Sequence, residues 1–164
     1  SKVIDEVLRQ IRYETGCFVC WYKTPTERSM SIVGEIMTGP PEDTPGWHAG
    51  ELETITVWAY DETLIDMDKA KKDRTHAPAF MGDKFSKKDG TGHVMFMGSE
   101  NIWVPMEHHE YSDTATIGDP FAGSKEKGER YFQVAGEALA EFVKEVNTFD
   151  IKVSDDLRHF KNRA

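Results

Sequence analysis

The chain has 164 residues, of which 38% are hydrophobic and 30% charged, and its formal net charge is −9 at pH 7. These values predict a globular protein with one domain, and they argue against binding of nucleic acid, which needs clustered Lys and Arg. They also argue against membrane association, because there is no basic face and no apolar run of roughly 18 residues, so we expect a cytoplasmic protein.

The first residues predict a helix that leads into a buried strand. Residues 2–15 carry a single apolar stripe and are followed by Gly16, which favours a helix end; the stripe comprises Val3, Ile4, Val7, Leu8 and Ile11. Residues 17–22 are apolar and aromatic, which is typical of a strand in a parallel sheet covered on both faces. Cys17 and Cys20 have C-x-x-C spacing, but they would point to opposite faces of a strand, so we predict small buried side chains and no redox pair.

The middle of the chain predicts loops around one helix. Residues 23–47 are rich in Thr, Ser, Gly and Pro and predict a long loop, with a helical turn near residues 30–37. Residues 50–60 predict a helix with Leu52, Ile55 and Ala59 on one side. Residues 71–112 are polar and irregular, apart from short apolar pieces at 94–97 and 102–104.

Residues 124–146 predict the longest helix. Ser124 is a suitable N-cap, and one face is apolar, comprising Phe132, Ala135, Leu139, Phe142 and Val146. We expect the charged tail, residues 149–164, to pack on the surface or on a partner.

The number of predicted strands is low for an α/β domain. Only residues 17–22 predict a central strand, whereas a parallel sheet needs several. Residues 1–148 therefore predict the C-terminal half of an α/β domain, unless the irregular middle contains further strands.

The stretch from Gly46 to Thr54 gathers groups suited to proton transfer or metal binding. His48 precedes the helix at 50–60, and Glu51 and Glu53 fall in its first turn. An imidazole and a carboxylate that converge could bind a divalent cation or move protons. The alternative is that both acids only favour the positive end of the helix dipole.

Aromatic and histidine residues supply further candidates. Trp21 and Trp47 could stack on a flat ligand or exclude solvent, or they could pack in a core or an interface. His108 and His109 lie between two acids, but adjacent side chains diverge, so either the pair joins a site or it lies in a solvated loop.

Two motifs resemble those of the creatininase family. H-A-G-E-L-E-T at residues 48–54 is similar to the family's H-A/G-G-x-x-E-T-S, and I-G-D-P-F-A-G-S-K-E-K-G-E at 117–129 is similar to its G-D-P-x-x-A-S/T-x-E-K-G segment. The resemblance implies a three-layer α/β sandwich with a mainly parallel sheet, of which this chain supplies the C-terminal half. The family's N-terminal motifs, which supply most ligands of a two-metal centre, are not found in this sequence.

The resemblance also implies an activity and a set of roles. It implies a metal-dependent hydrolase of a small cyclic amide or related polar ring, with zinc or manganese, completed by an N-terminal-half chain and assembled as a homo-oligomer, a hexamer in the family. His48 would be catalytic, Glu53 would bind metal, and the substrate would contact Trp21, Trp47 and Glu51. The alternatives are a keto-sugar or cyclitol substrate and a non-catalytic assembly subunit.

Overall fold

The structure is a computed structural model that describes residues 2–22, 31–39 and 48–150. The chain divides into two units, one formed by Ser1–Thr24 with Ala138–Ala164 and the other by Pro25–Glu137. Trp47 and residues 151–164 lie outside the described residues, so the predictions for Trp47 and for most of the tail have no structural counterpart here. No helix in the described ranges is long and apolar enough to cross a membrane.

In the first unit, the predicted helix is confirmed and the predicted strand is wrong. Helix α1 spans Lys2–Thr15, and most of its apolar stripe is exposed, with 76% of Val3 accessible. Residues 16–22 form no strand. Phe18 packs edge-on against Phe149 at 5.5 Å between ring centroids, and Tyr22 packs on Phe142 at 4.9 Å. These aromatic contacts take the place of sheet pairing.

The two cysteines are exposed and unbonded, which corrects the prediction that they are buried. The prediction rested on a strand covered on both faces. Because residues 16–22 have no neighbouring strand within the described ranges, nothing there covers the thiols.

The second unit is built around three helices. Helix α2 spans Ser31–Ile36, α3 spans Glu51–Tyr60 and α4 spans Lys125–Val146, all close to the predicted positions. Their core comprises Ile36, Met37, Leu52, Ile55 and Tyr131, with Ala135 packed against it.

The buried stripe of α4 differs from the predicted one. Gly128 and Tyr131 are its buried residues and Ala135 joins the core, whereas Phe132 and Leu139 are nearly half exposed. The spacing of three and four residues is helical, as expected, but the stripe is set by the approach to α3 rather than by the largest apolar side chains.

A small antiparallel sheet lies between α3 and α4 in sequence. It comprises β1 (Phe85–Ser86), β2 (His93–Phe96) and β3 (Ser99–Trp103), in the order β1-β2-β3. Strands β2 and β3 form a hairpin that turns at Met97 and Gly98, both with positive φ. The two apolar pieces of the middle region are therefore strands, but the described residues contain no parallel sheet.

Candidate active site

The turn that carries His48 is held by backbone and side-chain hydrogen bonds. The backbone N–H of Ile117 donates to the carbonyl of His48 at 2.7 Å, and Ala49 N–H donates to Oε2 of Glu53, also at 2.7 Å. Ala49 has φ 52°, in the left-handed region that non-glycine residues seldom adopt. The hydroxyl of Thr54 donates to the carbonyl of Ala49 at 3.3 Å. These bonds fix the backbone that follows the imidazole.

A second imidazole meets the first. The ring of His108 packs edge-on against His48, with 4.1 Å between centroids. His108 begins a 3-10 turn, His108–Glu110, in which the Glu107 and Glu110 side chains each accept a hydrogen bond from the other's backbone N–H. His108 thus contacts His48 although it is exposed, and whether it joins a site stays a prediction.

These groups border a cleft of about 1010 Å³. One wall is the first two turns of α3, another is the segment 64–71, and the third is the segment 107–116. Glu53, His108 and His109 all line it. His48 reaches its rim through the contact with His108. About half of the remaining lining residues are apolar, and the polar ones are Thr54, Asp66, Lys69, Lys71, Glu107, Ser112, Asp113, Thr114 and Thr116.

Asp73 holds the third wall in place. Its Oδ2 accepts hydrogen bonds from the Ser112 hydroxyl at 3.2 Å and from the hydroxyl and the N–H of Thr114 at 2.8 and 3.1 Å. Burial acts to raise the pKa of Asp73, but the hydrogen bonds from Thr114, Arg74 and Ser112 outweigh it and lower that pKa. The carboxylate therefore stays ionised and fixes the loop.

Glu51 lies behind the site. It is 1% exposed, it does not line the cleft, and it accepts hydrogen bonds from Gly39 N–H at 2.6 Å and from both the N–H and the hydroxyl of Thr38. Its Oε1 also accepts from the ammonium of Lys127 at 2.5 Å. Contact with substrate stays a prediction for Glu51, and the observed partners instead join three segments of the chain.

Sequence reasoning missed Lys127. Its ammonium also donates to the Thr38 hydroxyl and to the carbonyl of Ala122. The one indication in the sequence was its position in the second motif. A motif does not show which carboxylate its lysine pairs with.

The structure does not place either predicted aromatic residue relative to this site. Trp21 is 45% exposed and belongs to the first unit, and Trp47 is outside the described residues. Their contact with substrate stays a prediction.

The described residues do not by themselves suit a metal ion. They contain no group of three or more His, Cys, Asp or Glu that could hold one. The potential ligands that line the cleft are Glu53, Asp66, Glu107, His108, His109 and Asp113, and His48 contacts one of them, His108. Structural and catalytic metal sites generally need at least three protein ligands, so the described part of the chain does not supply a complete ligand set.

Comparisons with known proteins agree with the motifs. The Creatininase family, described as creatinine amidohydrolase, matches residues 1–143. A solved structure from Bacteroides fragilis NCTC 9343, named "Putative creatinine amidohydrolase", is similar with a TM-score of 0.62 and 18% identity. The similarity covers 91% of this chain and 51% of that one, so the chain spans about half the length of the solved relative. No curated protein matches. On the family match over most of its length, the chain belongs to the creatininase family.

Proposed function

We propose that this chain supplies the C-terminal half of a metal-dependent hydrolase that acts on a small cyclic amide or a related polar ring. The family match over residues 1–143 supports the reaction class. The observation that carries the site is the contact of His48 with His108, which lines one cleft together with Glu53. An N-terminal half, as in a relative twice as long, would complete a three-layer sandwich with a mainly parallel sheet.

That N-terminal half is the proposed source of the missing ligands. The described residues offer too few donors, so a divalent ion, zinc or manganese, would be bound chiefly by the other half, with Glu53 as this chain's contribution. Such an ion lowers the pKa of a bound water toward about 7. The remaining roles belong to the protein side chains.

The imidazole of His48 is proposed to donate a proton to the leaving nitrogen of the substrate. Imidazole is suited to this because its unperturbed pKa lies near neutral pH. The edge-on contact with His108 limits the orientations of both rings. The hydrogen bond from Ala49 N–H to Glu53 fixes the turn that carries His48. The proton donor is thus oriented before substrate arrives, which lowers the entropic part of the barrier.

Glu51 is proposed to support this turn from inside the fold. Its carboxylate meets Lys127 and Thr38 and leaves α3 anchored at its first residue. A cytoplasmic protein that assembles into homo-oligomers would be consistent with the acidic composition and the family, and both properties are part of the proposal.

A keto-sugar or cyclitol ring is the second candidate substrate. The observation that favours it is the number of hydroxyl groups along the cleft, from Thr54, Ser112, Thr114 and Thr116. The hydroxyl protons of Thr54, Ser112 and Thr114 are donated within the protein, so their oxygens are left as acceptors for a ring with many hydroxyl groups.

The proposal is tested with the complete native assembly that contains this chain. Turnover is measured on panels of cyclic amides and of keto-sugars, together with metal content and subunit composition. We expect His48→Ala to lower kcat by at least about 100-fold while assembly is retained. His93→Ala is the matched control, because His93 packs on Trp103 in the hairpin and does not line the cleft.

Three results would contradict the proposal. Equal turnover by His48→Ala and the wild type would remove the catalytic role. Keto-sugar turnover alone would select the second substrate class. An intact assembly without metal or turnover would instead indicate a non-catalytic assembly subunit.

A further inference from the structure

A buried lysine lies next to the site without belonging to it. The side chain of Lys87 is 0% exposed, and its ammonium donates to the carbonyls of Thr91 and, at 3.4 Å, His93. The nearest carboxylate oxygen belongs to Asp89 and is 3.9 Å away. Removing an ammonium from water is costly, and an apolar side chain of equal length would fill the space at lower cost. Burial lowers the pKa of Lys87 accordingly.

The lysine is linked to the candidate active site by a line of rings. Its ammonium lies over the ring of Tyr111 at 4.8 Å from the centroid, and Tyr111 is itself only 4% exposed. The Tyr111 ring is 5.1 Å from that of His108, which is 4.1 Å from that of His48. A cation over an aromatic face is attracted by the ring quadrupole, and the attraction strengthens when the pair is desolvated.

The backbone adds to this arrangement. Tyr111 N–H donates to the carbonyl of His108 at 3.2 Å, and the Tyr111 carbonyl accepts from His76 N–H at 3.0 Å. The backbone of His108 is therefore fixed by its own turn. Its exposed ring contacts the rings of His48 and Tyr111, so a shift of the Tyr111 ring would change where the imidazole of His108 can lie.

We propose that Lys87 is a positioning residue, whose buried ammonium holds the Tyr111 ring in the place where it keeps His108 packed against His48. The inference rests on the proposed function, because His48 is the proton donor of that proposal and His108 is the ring that orients it. A lysine that only stabilised the loop at 87–93 would need its two carbonyl acceptors but not the contact with Tyr111.

The test uses the complete native assembly with Lys87→Met, which keeps the length of the side chain and removes the charge. We expect kcat to fall about 10-fold with little change in KM. A displaced imidazole stabilises the transition state less well, whereas it has little effect on the binding of substrate. The imidazole resonances of His108 should shift in NMR spectra. Lys84→Met is the matched control, because Lys84 is exposed.

A double-mutant cycle separates positioning from simple stabilisation. Tyr111→Leu removes the ring and should lower kcat as Lys87→Met does, whereas Tyr111→Phe keeps the ring and should retain activity. If Lys87 acts through the ring, Lys87→Met combined with Tyr111→Leu lowers kcat no further than Tyr111→Leu alone. Additive losses in kcat would overturn the inference.

Other outcomes are equally decisive. If Lys87→Met lowers the melting temperature but leaves kcat and the His108 resonances unchanged, Lys87 only stabilises its loop and the inference is wrong. If that variant does not fold, equal kcat for Tyr111→Leu and Tyr111→Phe overturns it. Absence of turnover in the wild type refutes the proposed function, and the His108 resonances then decide the positioning role alone.

Discussion

Gly128 allows the closest approach between α3 and α4, and its replacement by alanine gives a sharp test of the packing. A Cβ at this position would lie 2.0 Å from the carbonyl oxygen of Ile55 and 2.7 Å from the Cβ of Ala59. Both atoms belong to the facing helix, and the nearer one is backbone, so a rotamer change cannot relieve the contact. The helices would have to separate by about 1 Å in a closely packed core.

The expected magnitude follows from two opposing effects. Overpacking of a core costs about 1–3 kcal/mol, and the upper end applies here because the clash is with backbone. Alanine recovers about 1 kcal/mol through its higher helix propensity. We therefore expect Gly128→Ala to destabilise the protein by about 2 kcal/mol, which corresponds to a fall in melting temperature of about 4–8 °C for a chain of this size.

The same helix supplies the control. A Cβ added at Gly136 meets no heavy atom within 4 Å. Gly136→Ala should therefore show the propensity gain alone, with an increase in stability of about 0.5–1 kcal/mol. Urea and thermal unfolding of both variants, followed by circular dichroism, give the comparison. If Gly128→Ala is as stable as Gly136→Ala, the contact between α3 and α4 is not as close as described.

Two further predictions concern the charged groups around the site. Glu51→Ala should destabilise the fold by about 2–3 kcal/mol, because Lys127 loses its carboxylate partner in a largely buried place. Urea unfolding beside Glu126→Ala, which removes an exposed acid from the helix that carries Lys127, measures this, and equal stabilities would contradict it. Asp73 has a lowered pKa in the folded state, so its stabilising effect is present above the unfolded pKa and is lost as the pH falls through the folded one. Asp73→Asn should thus lower the free energy of unfolding by about 1 kcal/mol at pH 7 and by less at pH 3. Unfolding of this variant and of the control Asp83→Asn at both pH values tests this. A loss of stability in Asp73→Asn that is the same at pH 7 and pH 3 would refute it.

Local periodicity predicted the helices well. The spacing of apolar residues set the bounds of α1, α3 and α4 to within about two residues. Periodicity could not predict residues 17–22, because an apolar run is compatible with a strand and with aromatic packing. In the structure Phe18 and Tyr22 meet rings from the end of the chain, and that choice depends on tertiary contacts.

The candidate site was predictable only where it is local. His48 and Glu53 are five residues apart, and a helix start between them brings both to one turn. His108 is distant in sequence, and only the folded chain shows that it meets His48. Glu51 could not be assigned from the motif, because a sequence motif does not tell whether a carboxylate points to the cleft or to a lysine of another helix.

The ion pair between Glu51 and Lys127 joins the starts of α3 and α4, and Lys125 bonds Glu62 at 2.9 Å just beyond the end of α3. Both ends of the intervening segment are therefore anchored independently of its length and sequence. Changes within that segment can alter the shape and polarity of the cleft walls at little cost to the helical frame. In this chain, the ion pairs that anchor the helices are thereby distinct from the hydrogen bonds of Asp73 that hold a wall of the cleft.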